Sequence, residues 1–539
     1  MENKKIHITK FKVLAVILWL IIFAGSVYLT YPTFNITSAI SYGFIITSIV
    51  LFVGLFVGGK FLSGERNVDY NLVKLVGKIV AIVIVLALIL TVVNCPIFSA
   101  SQYASRISVK EGTSKDIPAV DYNKLAVIDR DSTKALGDKV MGQMEDLVSQ
   151  FDVSSEYTEI SYKDSIYRVT PLTYASFFKW NNNHNDGIPG YIMVNSTTGK
   201  AQIVRLKDLG LGNMKYVPSA YFNENLYRHL QLNNPTTLFG DPSFEIDEKG
   251  YPYYVSSTYT YSPVGMRKRV TGAIILDPIT GDYKQYKLKD IPKWVDRVYP
   301  SDLVIEELNS YGKYQKGFIN SKIGQSGVIQ CSSGYNYLVK DGDIYLYTGI
   351  TSTNSDSSNL GFMLVNLRTH KAIRIKSSGA DEKSAMKSAE GKVKNYGYDA
   401  SFPILVNVDN KPVYFMGLKD NSNITKMYAM VSAEDYQKVV TISVDDDKND
   451  LLNSMKSLLD TGSDTKSKKE KATITVTNVH YMTFNEKNYL FFNDTEGNGY
   501  KYVIENTSDK ALYLQNNQSI NIEYSGSDVR TVSKITINK

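Results

Sequence analysis

The chain has 539 residues, 43% hydrophobic and 21% charged, which is ordinary globular composition with room for several domains. A formal net charge of +6 is small for this length, so no nucleic-acid partner is expected. Two cysteines exclude a disulfide framework, and Cys95 and Cys331 are expected as unpaired thiols.

Three apolar runs open the sequence: Val13 to Tyr31, Tyr42 to Gly59, and Ile79 to Val93. Each is about long enough to cross a hydrocarbon core of roughly 30 Å. Lys4, Lys5, Lys10 and Lys12 precede the first run, and Lys60, Arg66, Lys74 and Lys78 lie between the second and third. The loop after the first run carries no Lys or Arg. The positive-inside rule then predicts a multi-pass membrane protein with a cytoplasmic N-terminus. Everything after about Ser99 is predicted to be extracytoplasmic. Gly54 and Gly58 form a GxxxG pattern suited to close helix packing. Asn94 before Cys95 argues against a lipidated cysteine, because a small residue is expected there.

The next region is repetitive. Gly190 to Leu206, Gly272 to Leu288 and Gly361 to Lys376 each read as Gly, an apolar strand, a polar turn opened by Asn or Asp, and an alternating second strand. A second hairpin pattern precedes each: Glu159 to Leu172, Phe244 to Val255 and Tyr337 to Ile350. A weaker fourth copy runs from Ile404 to Ile442 and lacks the Thr-Gly turn. Helical spacing appears between the copies, over 133–151, 220–232, 301–310 and 381–394, and a closing helix is predicted over 447–459. With 39 tyrosines and frequent threonine, the strands are predicted to be half-buried. A helix laid across an antiparallel sheet is the two-layer solution for such a unit.

Val194, Asn195, Thr198 and Gly199, then Leu276, Asp277, Thr280 and Gly281, then Val365, Asn366 and Thr369 with His370 in place of Gly, carry a resemblance. Over about seventeen residues per copy the pattern resembles the ending of PepSY-type repeats. That resemblance implies a protein-binding role, as in propeptides and envelope proteins that inhibit or hold others, and no catalytic residues.

After a polar linker over 462–471, residues 472–539 hold five short strand patterns that resemble an OB-like barrel. The predicted fold class is therefore α+β: three N-terminal transmembrane helices, tandem helix-plus-antiparallel-sheet repeats, then a small all-β OB-like barrel. The predicted boundaries are 1–99 for the membrane region and 100–206 for a linker, helix and first repeat. The second repeat is 207–288, the third 289–376, and the degenerate fourth with its closing helix 377–461.

Chemistry is sparse. The five histidines stand at no ligand spacing, so no metal or cofactor site and no catalytic residue is assigned. The most distinctive polar stretch holds Glu245 and Asp247 beside Tyr251, Tyr253 and Tyr254, a set suited to peptide or sugar contact if exposed. Arg267, Lys268 and Arg269 make a basic hairpin tip. These eight residues are the predicted binding positions.

The reading that follows is a non-catalytic, membrane-anchored extracytoplasmic protein. Its partners are the lipid bilayer and an envelope protein or cell-wall component, and its role is scaffold or regulator. One alternative is an envelope hydrolase using Glu245 with Asp247, or Glu306 with Glu307. The other is an accessory subunit of a transport or secretion complex.

Overall fold

The computed structural model of the protein describes residues 2–62, 70–122, 125–163, 165–353, 358–460, 470–484, 487–504, 510–525 and 529–537. Residues 63–69 of the predicted cytoplasmic loop, including Arg66, and 462–469 of the predicted linker lie outside the described residues.

Three helices open the chain, Glu2–Thr30, Ala39–Leu62 and Tyr70–Asn94. Within them, Val13–Thr30, Ala39–Gly59 and Val73–Asn94 are long and apolar enough to span a membrane. Their outward side chains, Ile21, Leu29 and Leu88 among them, are large and apolar, which suits lipid. The first two helices pack through aromatic rings. Trp19 meets Phe52 edge-on at 5.2 Å, and its Nε1 donates to the carbonyl of Ser48 at 3.0 Å. Pro96 ends the third helix and starts a short one, Pro96–Ala104, because its ring suits the first helical turn.

Four sheets follow, each built on five antiparallel strands with one common connectivity. In the first, Phe151–Val153, Ser165–Tyr174, Gly190–Asn195 and Ala201–Arg205 lie side by side, and Thr158–Tyr162 pairs with the same long strand Ser165–Tyr174. The second repeats this with Leu238–Phe239, Pro252–Ser262, Arg267–Leu276 and Tyr283–Lys287, and Ser243–Ile246 is its inner strand. The third uses Ile329–Cys331, Asp343–Ser352, Ser358–Asn366 and Ala372–Ala380, with Asn336–Lys340. The fourth uses Asp399–Ala400, Lys411–Lys419, Thr425–Ser432 and Val439–Ser443, with Ile404–Val408.

A helix precedes each sheet: Arg130–Gly142, Leu226–Asn233, Ser301–Tyr314 and Glu382–Lys392. Three of them begin at a side chain that accepts a backbone N–H two residues into the helix. The caps are Asp129, Asn225 and Asp381. The first helix stops at Gly142, short of the predicted 151, and a further short helix, Phe177–Asn183, interrupts the first sheet.

Neighbouring sheets share apolar cores. Ile192 of the first packs with Leu276 of the second, and Val255 of the second with Leu346 and Val365 of the third. Phe362 of the third packs with Leu405 and Tyr414 of the fourth. Polar links join the fourth sheet back to the first. Lys419 pairs with Asp129, and Ser132 Oγ donates to the carbonyl of Asn423 at 2.8 Å. The four sheets thus close into a ring.

The chain leaving the membrane laces this ring. Val109–Gly112 pairs in parallel with Ala372–Ala380 of the third sheet. Ala119 then bridges Asn407 of the fourth, and Ile128 N–H donates to the carbonyl of Ser196 in the first at 2.9 Å. The sequence places 100–206 in one unit with the first repeat, whereas Val109–Gly112 belongs to the third sheet. A four-residue parallel edge strand carries too little alternation to declare its partner.

The motif that repeats in the sequence is one turn, built three times. Asn195 Oδ1 accepts the N–H of Thr197 and Thr198, at 2.9 and 2.8 Å. Asp277 Oδ1 accepts those of Ile279 and Thr280, and Asn366 Oδ1 those of Arg368 and Thr369. The residue that closes each turn is left-handed: Gly199 at φ 73°, Gly281 at φ 83° and His370 at φ 62°.

The C-terminal unit is a closed five-stranded barrel. Its order around the wall is Glu470–Phe484, Lys487–Asp494, Gly499–Ile504, Val529–Ile537 and Ser519–Ser525. Glu470 and Lys471, predicted as linker, begin the first strand. A register shift between Thr477 and His480 bends that strand, so it pairs with both Lys487–Asp494 and Ser519–Ser525. Val476, Leu490, Phe492 and Ile520 fill the interior.

Candidate functional site

Six of the eight predicted binding residues lie on strands of the second sheet, and Asp247 and Tyr251 lie in the turn between two of them. Glu245 is fully buried and Tyr254 is 2% exposed, which corrects the picture of an exposed tyrosine–carboxylate surface. Phe244 and Ile246 of strand Ser243–Ile246 pack into the core shared with the first sheet, while Glu245 is held by Ser243 and by the backbone of Asp296. Asp247 caps its own turn, accepting the N–H of Lys249 and Tyr251 at 2.8 and 2.9 Å. Tyr251 Oη donates to Asp277 Oδ2 at 2.8 Å, and Tyr253 stacks on Trp294 at 4.8 Å. Arg267 bonds Gln102 and lies over the Tyr103 ring, beside the chain that leaves the membrane. Lys268 Nζ sits 4.1 Å from the Tyr259 ring centroid, and Arg269 is exposed.

Glu245 belongs to a buried polar cluster that links the second sheet to the first through Asp296. Its carboxylate accepts Ser243 Oγ at 2.7 Å and the N–H of Asp296 at 2.9 Å. Asp296, 3% exposed, accepts the N–H of Ser161 in the first sheet at 2.7 Å. Burial pushes Glu245 up to about 7, against the opposing pull of those donors and of Arg297. Burial and the nearby Glu245 charge push Asp296 well above the usual carboxylate range. Glu159 of the first sheet has a direct ionic partner instead, Arg168, whose Nε donates to it at 2.7 Å.

Beside this cluster, a polar cavity of about 800 Å³ opens between the first two sheets and helix Ser301–Tyr314. Tyr157, Tyr227, Tyr254, Tyr259 and Tyr335 supply aromatic walls. Lys268 and Arg297 face it with Glu156, Asp241 and Asp302, and Ser243, Ser257 and Ser301 add hydroxyls. Among the described residues, the buried hydroxyl of Tyr254 has no hydrogen-bond partner within the protein. That oxygen is sealed within the packed core, where an unpaired hydroxyl costs about 1–3 kcal/mol. Of the eight predicted residues, Tyr254 and Lys268 line this cavity. The other lining residues carry no sequence signal, because contacts between sheets assemble them.

The second carboxylate pair does not converge. Arg106 binds both Glu306 and Glu307, but the first side chain is 61% exposed and the second 5%. Glu307 accepts His370 Nε2 at 2.7 Å, under a Tyr299 ring stacked at 4.1 Å on the imidazole. Burial pushes Cys331 up to about 12, which keeps it a thiol. Among the described residues, no group of three His, Cys, Asp or Glu is placed to hold a metal ion. On the barrel, Leu490 and Phe492 face inward, so Tyr489 and Phe491 face outward with Lys501 opposite Phe491.

No protein-family model matches the sequence, and no curated protein matches it. Among solved structures, the chain is similar to a mutant of B. megaterium levansucrase at 9% identity and a TM-score of 0.17, over 79% of this chain and 98% of that one. It is similar to the polysaccharide lyase Uly1 at 10% identity and a TM-score of 0.17, over 72% of this chain and 76% of that one. It is also similar to an alpha-L-arabinofuranosidase from Lactobacillus brevis at 10% identity and a TM-score of 0.15, over 70% and 92%. At such TM-scores the likeness carries no argument about fold or activity.

Proposed function

We propose that this is a membrane-anchored extracytoplasmic binding protein whose ring of sheets holds a hydroxyl-rich segment of a cell-wall glycan. The single observation that carries the reading is the polar cavity walled by tyrosines, with Lys268, Arg297, Ser243, Ser257 and Ser301 on its lining. The lysine asymmetry of the first hundred residues supports an outside location for the ring. The common connectivity of the four sheets supports copies of one unit, as the resemblance to PepSY-type repeats implies. The barrel's strand order, with Gly499–Ile504 parallel to Val529–Ile537, supports the OB-like reading. Its outward aromatic face then offers a second contact surface, for a protein partner.

The test is calorimetric titration of the full chain in detergent with soluble peptidoglycan fragments and N-acetylglucosamine oligomers. Binding that weakens about tenfold in Tyr335→Ala, with Lys268→Ala following, supports the reading; about 1.4 kcal/mol of lost contact gives that factor. Absence of binding, or equal binding by both variants, removes the glycan and leaves a protein partner as the reading to pursue.

A further inference from the structure

The ends of the membrane helices meet the ring at fixed points. Arg228 makes the firmest one. Its Nε donates to the carbonyl of Tyr28 at 2.9 Å, and its Nη1 donates to the carbonyl of Phe222 at 2.7 Å. Tyr28 Oη donates to Asn223 Oδ1 at 2.9 Å. One guanidinium therefore ties the last turn of the first membrane helix to the backbone of Phe222. The loop between the first two helices adds bonds nearby, from Phe34 N–H to the carbonyl of Pro235 at 2.7 Å and from Asn35 Nδ2 to that of Thr236 at 2.6 Å.

Phe222 is the edge of an exposed aromatic group. It is held at φ 49°, a conformation a bulky residue adopts only under constraint, and its ring is 54% exposed. Phe177 meets Tyr221 edge-on at 5.0 Å, and Phe178 stands 75% exposed beside them. A second apolar group lies by the third membrane helix. The short helix Pro96–Ala104, which continues that helix, packs on Ser301–Tyr314 and Gly317–Ile319, where Ile319 and Ile323 are 73% and 82% exposed.

We propose that these two groups are membrane seats, inserted in the bilayer interface at the Thr30 end of the first membrane helix. The occupant is lipid because both groups are continuous with helices whose own outward faces are apolar and built to meet lipid. Large exposed apolar groups are rare on surfaces that face only water. Two seats flanking the helix ends fix the tilt of the ring against the membrane plane, so the ring is held and does not swing on a tether. The inference stands apart from the identity of any cavity ligand.

The test places the photo-crosslinker p-benzoylphenylalanine at position 178 or 323 of the full chain in nanodiscs of phosphatidylethanolamine and phosphatidylglycerol. Position 436, an exposed tyrosine in the turn between strands Thr425–Ser432 and Val439–Ser443 of the fourth sheet, is the control. Mass spectrometry is expected to find lipid adducts at 178 and 323 several-fold above those at 436. Lipid yield at either position no higher than at 436 overturns the proposal, as does capture of protein alone.

Discussion

The turn at Asp277 and the turn at Asn366 hold one backbone with different residues at the left-handed position. In the second sheet that residue is Gly281, and a Cβ there would stand 2.5 Å from the Tyr216 ring. In the third sheet it is His370, whose side chain has room to stack on Tyr299 and bond Glu307. The first sheet lies between them: a Cβ on Gly199 would meet Ile128 at an ordinary 3.5 Å. The same hydrogen bonds therefore sit in three different surroundings. A Cβ would overlap a ring in one, would meet only ordinary contacts in another, and carries a cross-linking imidazole in the third. What resembles decay of a repeat at His370 is a tie between the turn and helix Ser301–Tyr314, which Arg106 also grips.

The strongest way to break this comparison is Gly281→His. If the turns were interchangeable, the residue accepted in the third sheet would be accepted in the second. The overlap with Tyr216 and the lost left-handed freedom together predict a loss of about 4 kcal/mol. Tyr216 also packs on His229, whose Nε2 lies 2.8 Å from the carbonyl of Gly281, so that contact goes too. Thermal unfolding of the full chain in detergent, followed by protease sensitivity near residues 216–231, would read it. An unchanged melting curve would show that the surroundings do not set the turn residue.

The first two sheets bury a glutamate differently: Glu159 against the Arg168 guanidinium, Glu245 against a hydroxyl and a backbone N–H. Glu245 is raised to about 7 by burial, whereas the unfolded chain would titrate near about 4.3. Between those values the folded state holds the extra proton. Its stabilising share is full below about pH 4.3 and is lost as pH rises towards 7. The loss is on the order of 3 kcal/mol, and Asp296, raised in the same direction, adds to the slope. Melting at pH 5 is thus expected above melting at pH 8, and Glu245→Gln should flatten much of the difference. A Glu245→Gln profile parallel to the wild type would assign the slope elsewhere.

His370→Gly sharpens the comparison from the opposite side. It restores the glycine of the other turns, relieving left-handed strain of about 1 kcal/mol. It also removes the stacked ring and leaves Glu307, 4% exposed, with Arg106 at 3.6 Å as its remaining ionic partner. The net expectation is a loss of about 1–2 kcal/mol, with faster amide exchange in helix Ser301–Tyr314. A variant as stable as the wild type would mean that the cross-link merely repays its own strain.

These contrasts mark where the sequence is readable. The turns were legible because Asn195, Thr198 and Gly199 act on backbone within four residues, so their geometry is local. The partners of His370 were not, because Tyr299 and Glu307 arrive from far along the chain. The membrane helices were legible from length and apolarity, and the barrel from its evenly spaced strands. Glu245 was misplaced because alternation assigns residues to faces and cannot say that the segment around Asp296 covers the side opposite Phe244 and Ile246. The cavity was illegible for a related reason: Tyr254, Lys268 and Tyr335 come from two sheets and meet only when the sheets pack. The lacing strand Val109–Gly112 hid its partner because parallel pairing across more than two hundred and fifty residues leaves no local trace.

The smallest effect belongs to Gly199→Ala, and its size is the point. The position is left-handed at φ 73°, so any Cβ costs something, about 1 kcal/mol. A methyl group meets Ile128 and Leu136 at contact distance, 3.5 and 3.6 Å, and gains a little apolar packing that offsets part of that cost. The net loss should stay under about 1 kcal/mol, several times less than at Gly281. Equal losses at Gly199 and Gly281 would mean that backbone conformation alone governs these turns. Unequal losses in the stated order would show that three related sequence motifs are separated by what packs against them.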